Sequence, residues 1–172
     1  MYNRIRKRID TFLFRVKGVV LKKGAYIHHS VDVQNHKKLS VGLNSILYKN
    51  SSVYIGKEGS MKLGDNSHIA PFGYLLIDKN KVEIGNHVAV GPFCSFICHS
   101  NDLKGEHKLF SKNYLDGDIV IGNNVFIGAQ CVILPGTVIE DNVVVASNSV
   151  VKGRLEEGGV YGGSPVKRIK NI

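Results

Sequence analysis

Aliphatic residues recur at an interval of six toward the end of the chain, at Ile121, Ile127, Ile133, Ile139, Val145 and Val151. Each opens a unit, written IGNNVF, IGAQCV, ILPGTV, IEDNVV and VASNSV. The fifth position of each unit is small or medium: Val125, Cys131, Thr137, Val143 and Ser149. At about 100° per residue, a helix would scatter these positions around its circumference. Along a strand six is an even step, so they keep one parity and face one way. A single strand of roughly thirty residues would far exceed the usual five or six. The chain must therefore turn within each unit and bring the same side back inward. Asn123, Asn124, Asn142 and Asn148, with Gly122, Gly128 and Gly136, supply residues that tolerate corner conformations. The pattern predicts a solenoid of short strands and regular corners. An ordinary sandwich would not hold a six-residue phase through five units.

The phase extends upstream through Ile84 (IGNHVA), Val90 (VGPFCS) and Phe96. Fainter echoes are VGLNSI at Val41, IGKEGS at Ile55 and LGDNSH at Leu63. Leu47 and Ile55 stand eight apart, which predicts insertions at corners in the early coils. Between Phe96 and Ile119 the hexads stop at ICHSNDLKGEHKLFSKNYLDGD, whose polar, glycine-containing composition predicts a loop projecting from the solenoid. Long loops in compact folds are often functional. At the amino end Ile5, Ile9, Phe12, Leu13 and Val16 follow helical spacing, flanked by Arg4, Arg8 and Arg15. Such a helix has two readings, an interfacial helix on anionic lipid or a cap whose apolar stripe covers the open first coil. The expected organisation is a basic amphipathic segment over 1–23, a β-solenoid over 24–160 with an extruded loop at 98–118, and a basic tail over 161–172. LEEGGVYGG, before that tail, reads as a flexible link.

A length of 172 residues with 43% hydrophobic content suits one domain with a sizeable core. No run approaches the roughly eighteen apolar residues of a membrane span. Arg4, Arg6, Lys7, Arg8, Arg15 and Lys17 interrupt the first twenty residues, against a signal peptide, so the cytoplasm is the expected location. Cys94, Cys98 and Cys131 form no CxxC pair and read as core filler. The net charge of +9 divides into +7 over residues 1–23, +3 over 152–172 and −1 between them. Two basic ends without a basic stripe along the body give no expectation of nucleic-acid binding.

His99 lies where the chain leaves the hexads, within HSND. An imidazole there could take a proton from an alcohol near neutral pH, although a surface or structural role stays open from the residues alone. Asn101 and Asp102 could orient its ring or meet the acceptor, and Asp78, on a small insertion one coil earlier, could reach the same groove. His107 sits deeper in the loop among Lys104, Glu106 and Lys108 and reads as solvated surface.

The tandem hexads, and the stretch IGNNVFIGAQCVILPGTVIEDNVVVASNSVVK with GGSPVKRIK beyond it, resemble the hexapeptide-repeat acyltransferases, in particular their sugar O-acetyltransferase branch. The likeness covers roughly residues 30–170. It implies an all-β, left-handed parallel β-helix with three hexads to a triangular coil, an exception to the right-handed crossover preference. It implies His99 as the general base at the start of an extended loop. The implied donor is acetyl-coenzyme A, contacted at Ala129, Ser147, Lys152 and Gly153, with Lys167 and Lys170 on the nucleotide phosphates. Cationic donors there suit phosphate. The closing motif Gly163-Ser164-Pro165-Val166-Lys167 matches the family pattern. The resemblance further implies a homotrimer with active sites between neighbouring prisms, a sugar or glycan acceptor and no required metal. Pro71-Phe72-Gly73-Tyr74 departs from the asparagine-bearing pattern of the galactoside and maltose enzymes, which points away from a simple free disaccharide. The basic amino end suits a lipid-linked or cell-envelope saccharide, and with it surface polysaccharide assembly and peripheral contact with the inner face of the membrane. Other members of the fold acylate serine, chloramphenicol-like drugs or the amino groups of nucleotide sugars. The zinc-dependent carbonic anhydrases of this fold need two histidines five apart, and no pair among the seven here has that spacing. A non-catalytic scaffold would need neither His99 nor the Lys167 tail.

Overall fold

A computed structural model describes the backbone of residues 2–172 and the side chains of residues 5–172. The side chain of Arg4, named above beside the amino-terminal stripe, lies outside the described residues. Short parallel strands stack into three faces. The first face holds Val20–Leu21, Leu39–Val41, Ser60–Leu63, Lys81–Ile84, Ile119–Ile121, Val138–Ile139 and Arg154–Leu155. The second holds Tyr26–Ile27, Ile46–Leu47, His68–Ile69, Ala89–Val90, Phe126–Ile127, Val144–Val145 and Gly159–Gly162. The third holds Asp32–Val33, Ser52–Ile55, Tyr74–Asp78, Ser95–Ile97, Val132–Ile133 and Val150–Val151. Among the described residues the chain makes six three-sided coils and two sides of a seventh.

Register explains why the hexad works. Ile84 pairs with Ile121 and Ile121 with Ile139 on the first face, Val90 with Ile127 and Ile127 with Val145 on the second, and Phe96 with Ile133 and Ile133 with Val151 on the third. Each inward side chain thus stacks on its counterpart one coil away, and all of these are buried. Burying one such side chain is worth about 1.5–3 kcal/mol. The glycine after the aliphatic position answers a close approach, since a Cβ on Gly85 would run into the Gly122 carbonyl oxygen in the next coil.

The three corners differ. From first face to second, and from second to third, the inward residues stay six apart in every coil, for example Val41, Leu47 and Val53, or Leu63, Ile69 and Leu75. From third face to first the spacings run 8, 10, 9, 25, 6 and 4. The expected early insertions are real, but Ile55 is not the displaced hexad residue. Val53 keeps the six-residue step, Ile55 is a second inward residue of a longer strand, and the extra chain follows it at the third corner. The first corner is pinned by left-handed Asn44, Asn66, His87, Asn124 and Asn142. A ladder also runs there, from the Asp65 amide to Asn86 Oδ1 (2.7 Å), the Asn86 amide to Asn123 Oδ1 (2.9 Å) and the Asn123 amide to Asp141 Oδ1 (2.7 Å). Short polar side chains favour such backbone contacts.

The ends correct two expectations. Helix α1 (Tyr2–Val16) packs against the first coil through Phe14 and Asp10, both buried. The stripe of Ile5, Ile9, Phe12, Leu13 and Val16 is exposed, between 48% and 68%, and does not cover the coil. A buried carboxylate needs partners, and the coil supplies them: Tyr26 donates to Asp10 Oδ2 (2.9 Å) and His29 Nδ1 stands 3.6 Å from it. At the other end LEEGGVYGG is no flexible link, because Arg154–Leu155 and Gly159–Gly162 continue the first and second faces. The basic segment beyond folds back, with Lys167–Asn171 antiparallel on Gly159–Gly162. An edge of unpaired amides and carbonyls favours such cover. The three cysteines are buried and unpaired.

Candidate functional site

The site grows from the longest excursion at the third corner. After Ser95–Ile97 the chain leaves the prism, and His99–Asn101 pairs antiparallel with Tyr114–Asp116. That register sets His99 directly opposite Asp116. Their side chains meet, with His99 Nδ1 2.8 Å from Asp116 Oδ1. The Tyr114 ring stacks on the imidazole at 4.8 Å between centroids, tilted by 22°. Asp116 is braced from the preceding coil: Lys79 Nζ lies 2.9 Å from Oδ2, and Asn80 Nδ2 donates to Oδ1 at 3.2 Å. Asn80 is buried and also donates to the carbonyls of Ile77 (3.2 Å) and Cys98 (3.1 Å), tying the insert to the prism.

These contacts fix a protonation pattern. The hydrogen bond from His99, then that from Lys79, holds the Asp116 carboxyl down to about 2. The same pairing raises the Lys79 ammonium above its ordinary value. An ionised carboxylate has no proton to give, so the hydrogen of the neutral imidazole sits on Nδ1. The lone pair is then on Nε2, which has no hydrogen-bond partner among the described residues. That is the form a general base requires.

Asp78 joins this group. Its backbone is left-handed (φ 51°) at the third corner, and one ligand atom from each of Asp78, His99 and Asp116 lies within 4.8 Å of the others. Three such atoms could meet a cation. Both Asp116 oxygens are however already occupied, Oδ1 by His99 and Asn80 and Oδ2 by Lys79. The arrangement therefore spends Asp116 on the imidazole. A cleft of roughly 340 Å³ opens here, lined by Gln34, Tyr54, Gly56, Leu76, Asp78 and His99. Tyr54 stands beside Tyr74 on the third face, with ring centroids 5.6 Å apart. Phe72, from the departing Pro71–Tyr74 stretch, stacks on Phe93 at 4.7 Å, and both have left-handed backbones.

Other sequence-predicted residues fall differently. Asn101 and Asp102 do not touch the ring. Asn101 Nδ2 donates to the carbonyl of Phe110 (3.1 Å), and Asp102 Oδ1 accepts from the Lys104 amide (2.9 Å), so both shape the loop. The orienting group is Asp116, which the sequence reading missed together with Lys79, Asn80 and Tyr114. A signal existed, because an excursion that leaves and rejoins one corner must bring its two ends together. His107 likewise serves the loop, where its Nδ1 accepts from the Leu109 amide at 3.1 Å. Cys98, next to His99, is no rival nucleophile: its buried thiol is pushed up to about 12, chiefly by burial.

The donor candidates flank the third face. Ala129 and Ser147 stack at the second corner, where the Asn148 amide donates to the Ala129 carbonyl (2.9 Å). Lys152 and Gly153 sit at the third corner just after Val150–Val151, and Gly153 is left-handed (φ 84°). That strand is two coils from the one leading to His99, roughly 10 Å along the prism. Lys167 pairs with Gly162 beside the second corner, while Lys170 pairs with Val160 within the second face. Both lysines are exposed.

Residues 118–153 match the family described as bacterial transferase hexapeptide (six repeats). The galactoside O-acetyltransferase of Escherichia coli is 27% identical over 162 residues, covering 92% of this chain and 79% of that one. A putative lipopolysaccharide biosynthesis O-acetyl transferase of the same organism is 26% identical over 163 residues, covering 74% and 83%. Among solved structures, a mutant of the Bacillus cereus N-acyltransferase AntD in complex with dTDP and coenzyme A superposes with a TM-score of 0.82 at 25% identity, covering 93% of this chain and 88% of that one. The fold is that of the left-handed parallel β-helix acyltransferases. The hexad phase, the prism it builds and these likenesses agree: the chain carries the hexapeptide repeat, is similar to acetyltransferases built on it, and these likenesses support an acyl-coenzyme A-dependent transferase.

Proposed function

We propose that this protein moves an acetyl group from acetyl-coenzyme A to a sugar hydroxyl, with His99 as the general base. The observation that carries the reading is the Asp116–His99 pair, whose His99 lines the cleft. His99 Nε2 takes the hydroxyl proton as the oxygen attacks the thioester carbonyl. A C–O bond forms and the C–S bond then breaks. The imidazolium returns its proton to the departing sulfur, and Asp116 stabilises that cation throughout. The tyrosine rings at 54 and 74 offer flat apolar surface to a pyranose, and Asp78 and Gln34 offer hydrogen-bonding partners to its hydroxyls. The donor lies along the third face past Ala129, Ser147, Lys152 and Gly153, with its phosphates at Lys167 and Lys170. In this reading the enzyme is a homotrimer, and a neighbouring prism closes each groove. The setting is the cytoplasm, at the inner face of the membrane, on a cell-envelope or lipid-linked saccharide. The similarity to a putative lipopolysaccharide biosynthesis O-acetyl transferase supports that choice.

Another structure of that N-acyltransferase is in complex with dTDP-4-amino-4,6-dideoxyglucose and coenzyme A, which supports a second acceptor, the amino group of a nucleotide sugar. An alcohol is the harder nucleophile to activate, and an imidazole that lines the cleft, paired at Nδ1 and unpartnered at Nε2 among the described residues, is suited to that task. Thiol release from acetyl-coenzyme A, measured with a panel of sugars and amino sugars for wild type and His99→Ala, decides between them. The variant should fold normally and lose acceptor-dependent turnover by roughly 10²–10⁴-fold. Full activity in the variant would remove His99 from the mechanism, and turnover confined to amino sugars would select the second acceptor.

A further inference from the structure

The exposed stripe of α1 remains without a role in the fold. The helix has 15 residues and is about 22 Å long. Phe14 and Asp10 face the coil, whereas Ile5, Ile9, Phe12, Leu13 and Val16 face away. Burial and capping are thus separated on this helix, and five large apolar side chains are left to solvent. Counted at about 100° per residue, Arg8 and Arg15 fall on one flank of the stripe and Arg6 and Lys17 on the other. Its acidic residue, Asp10, is turned inward and already bonded by Tyr26, so it does not offset these charges at the surface. An open groove of roughly 660 Å³ runs beside the helix, and Lys7, Arg8, Thr11, Arg15 and Lys23 are among its lining residues.

We infer that α1 is a membrane-docking helix, lying flat in the headgroup region of an anionic phospholipid surface. The stripe enters the acyl boundary, and the flanking cations and the basic groove take the headgroup phosphates. Long cationic side chains can keep their charges at headgroup level while their stems cover apolar surface. No described helix is long and apolar enough to cross a membrane, so the contact is interfacial. A second copy of this chain fits the stripe less well, because pairing two such helices would press like charges together at both flanks. The inference deepens the membrane setting proposed above and rests on it, but not on the chemistry of His99.

Flotation with vesicles of phosphatidylglycerol and phosphatidylcholine, against vesicles of phosphatidylcholine alone, tests it. Wild type should float with the anionic vesicles only and be released as salt rises, through screening. The triple variant Ile9→Asn, Phe12→Asn, Val16→Asn should lose at least tenfold in partitioning with unchanged circular dichroism. Its thiol release on a soluble acceptor should stay at the wild-type level. Arg8→Gln with Arg15→Gln should weaken partitioning roughly fivefold per charge removed. Equal binding to both vesicle types, or binding to neither, would overturn the proposal. A triple variant that changes oligomeric state while wild type ignores vesicles would assign the stripe to a second copy instead. Wild type that floats but releases no thiol with any acceptor would count against the acetyl-transfer reading and leave the docking helix standing.

Discussion

The first and third corners of the prism are built from the same chain under opposite rules. At the first corner the inward residues keep their six-residue step in every coil, held by left-handed asparagines and by the ladder from Asp65 to Asp141. At the third the step ranges from 4 to 25. The candidate base His99 and the groups around it, Asp78, Lys79, Asn80, Tyr114 and Asp116, sit at or beside that corner or on the excursion that leaves it. The difference shows how a repeat fold hosts chemistry. Stacked side chains across a tight corner must repeat together, so a change in one coil disturbs its neighbours. A corner without that ladder can lengthen locally, because loop closure costs only about 0.6 kcal/mol per doubling of length.

The largest predicted effect breaks the comparison directly. One glycine inserted between Asn124 and Val125 would shift the following inward residues by a position and turn Val125 and Ile127 outward. The expected cost is about 3–6 kcal/mol from their exposure. Three glycines inserted between Lys57 and Glu58, at the third corner, should cost less than about 1 kcal/mol. Urea unfolding of both compares them, and equal tolerance would end the distinction between corners.

Asp116→Asn sharpens the comparison next. If Asp116 orients His99, turnover should fall roughly 10–100-fold, as for other groups that hold an imidazole from behind, while KM for acetyl-coenzyme A stays put. A purely structural role would leave the pH–rate profile of the residual activity unmoved. Stability gives an independent check. Because the folded-state value is depressed, the Asp116 contribution is complete above the ordinary value of 3.8 and drains away as pH falls toward about 2. The gap in unfolding free energy between wild type and Asp116→Asn should therefore be widest above pH 4 and close toward pH 2. A gap that widens in acid would refute the assignment.

The smallest effect belongs to Lys79→Ala. Lys79 is exposed and meets only one oxygen of Asp116, so turnover should change by no more than roughly fivefold. A loss as large as that of Asp116→Asn would make Lys79 a full partner in the site.

Much of this was legible in the residues. The even period fixed strands and an inward face, and the break after Phe96 marked where the chain leaves the prism. His99 and Asp78, which the structure brings close together, could be singled out because each stands at an interruption of the period. Asp116 was not, since its importance comes from pairing with a residue seventeen positions away across a hairpin, and the hexads carry no information inside a loop. The helix shows the opposite failure. Its apolar spacing correctly predicted a helix, but spacing cannot say which face meets the coil. Asp10 and Tyr26 decided that by satisfying a buried carboxylate. The closing segment misled in the same way: glycines read as slack became strands once an open sheet edge was available to pair them.

Periodicity alone determined the repeat, the core positions and the corner from which chemistry emerges, because each is set by neighbours a fixed number of residues away. Tertiary structure alone decided which carboxylate backs the imidazole, which tautomer results and which way the amino-terminal helix turns its apolar side. Those outcomes depend on groups far apart in sequence competing for the same few buried or half-buried partners, and only the folded chain states who wins.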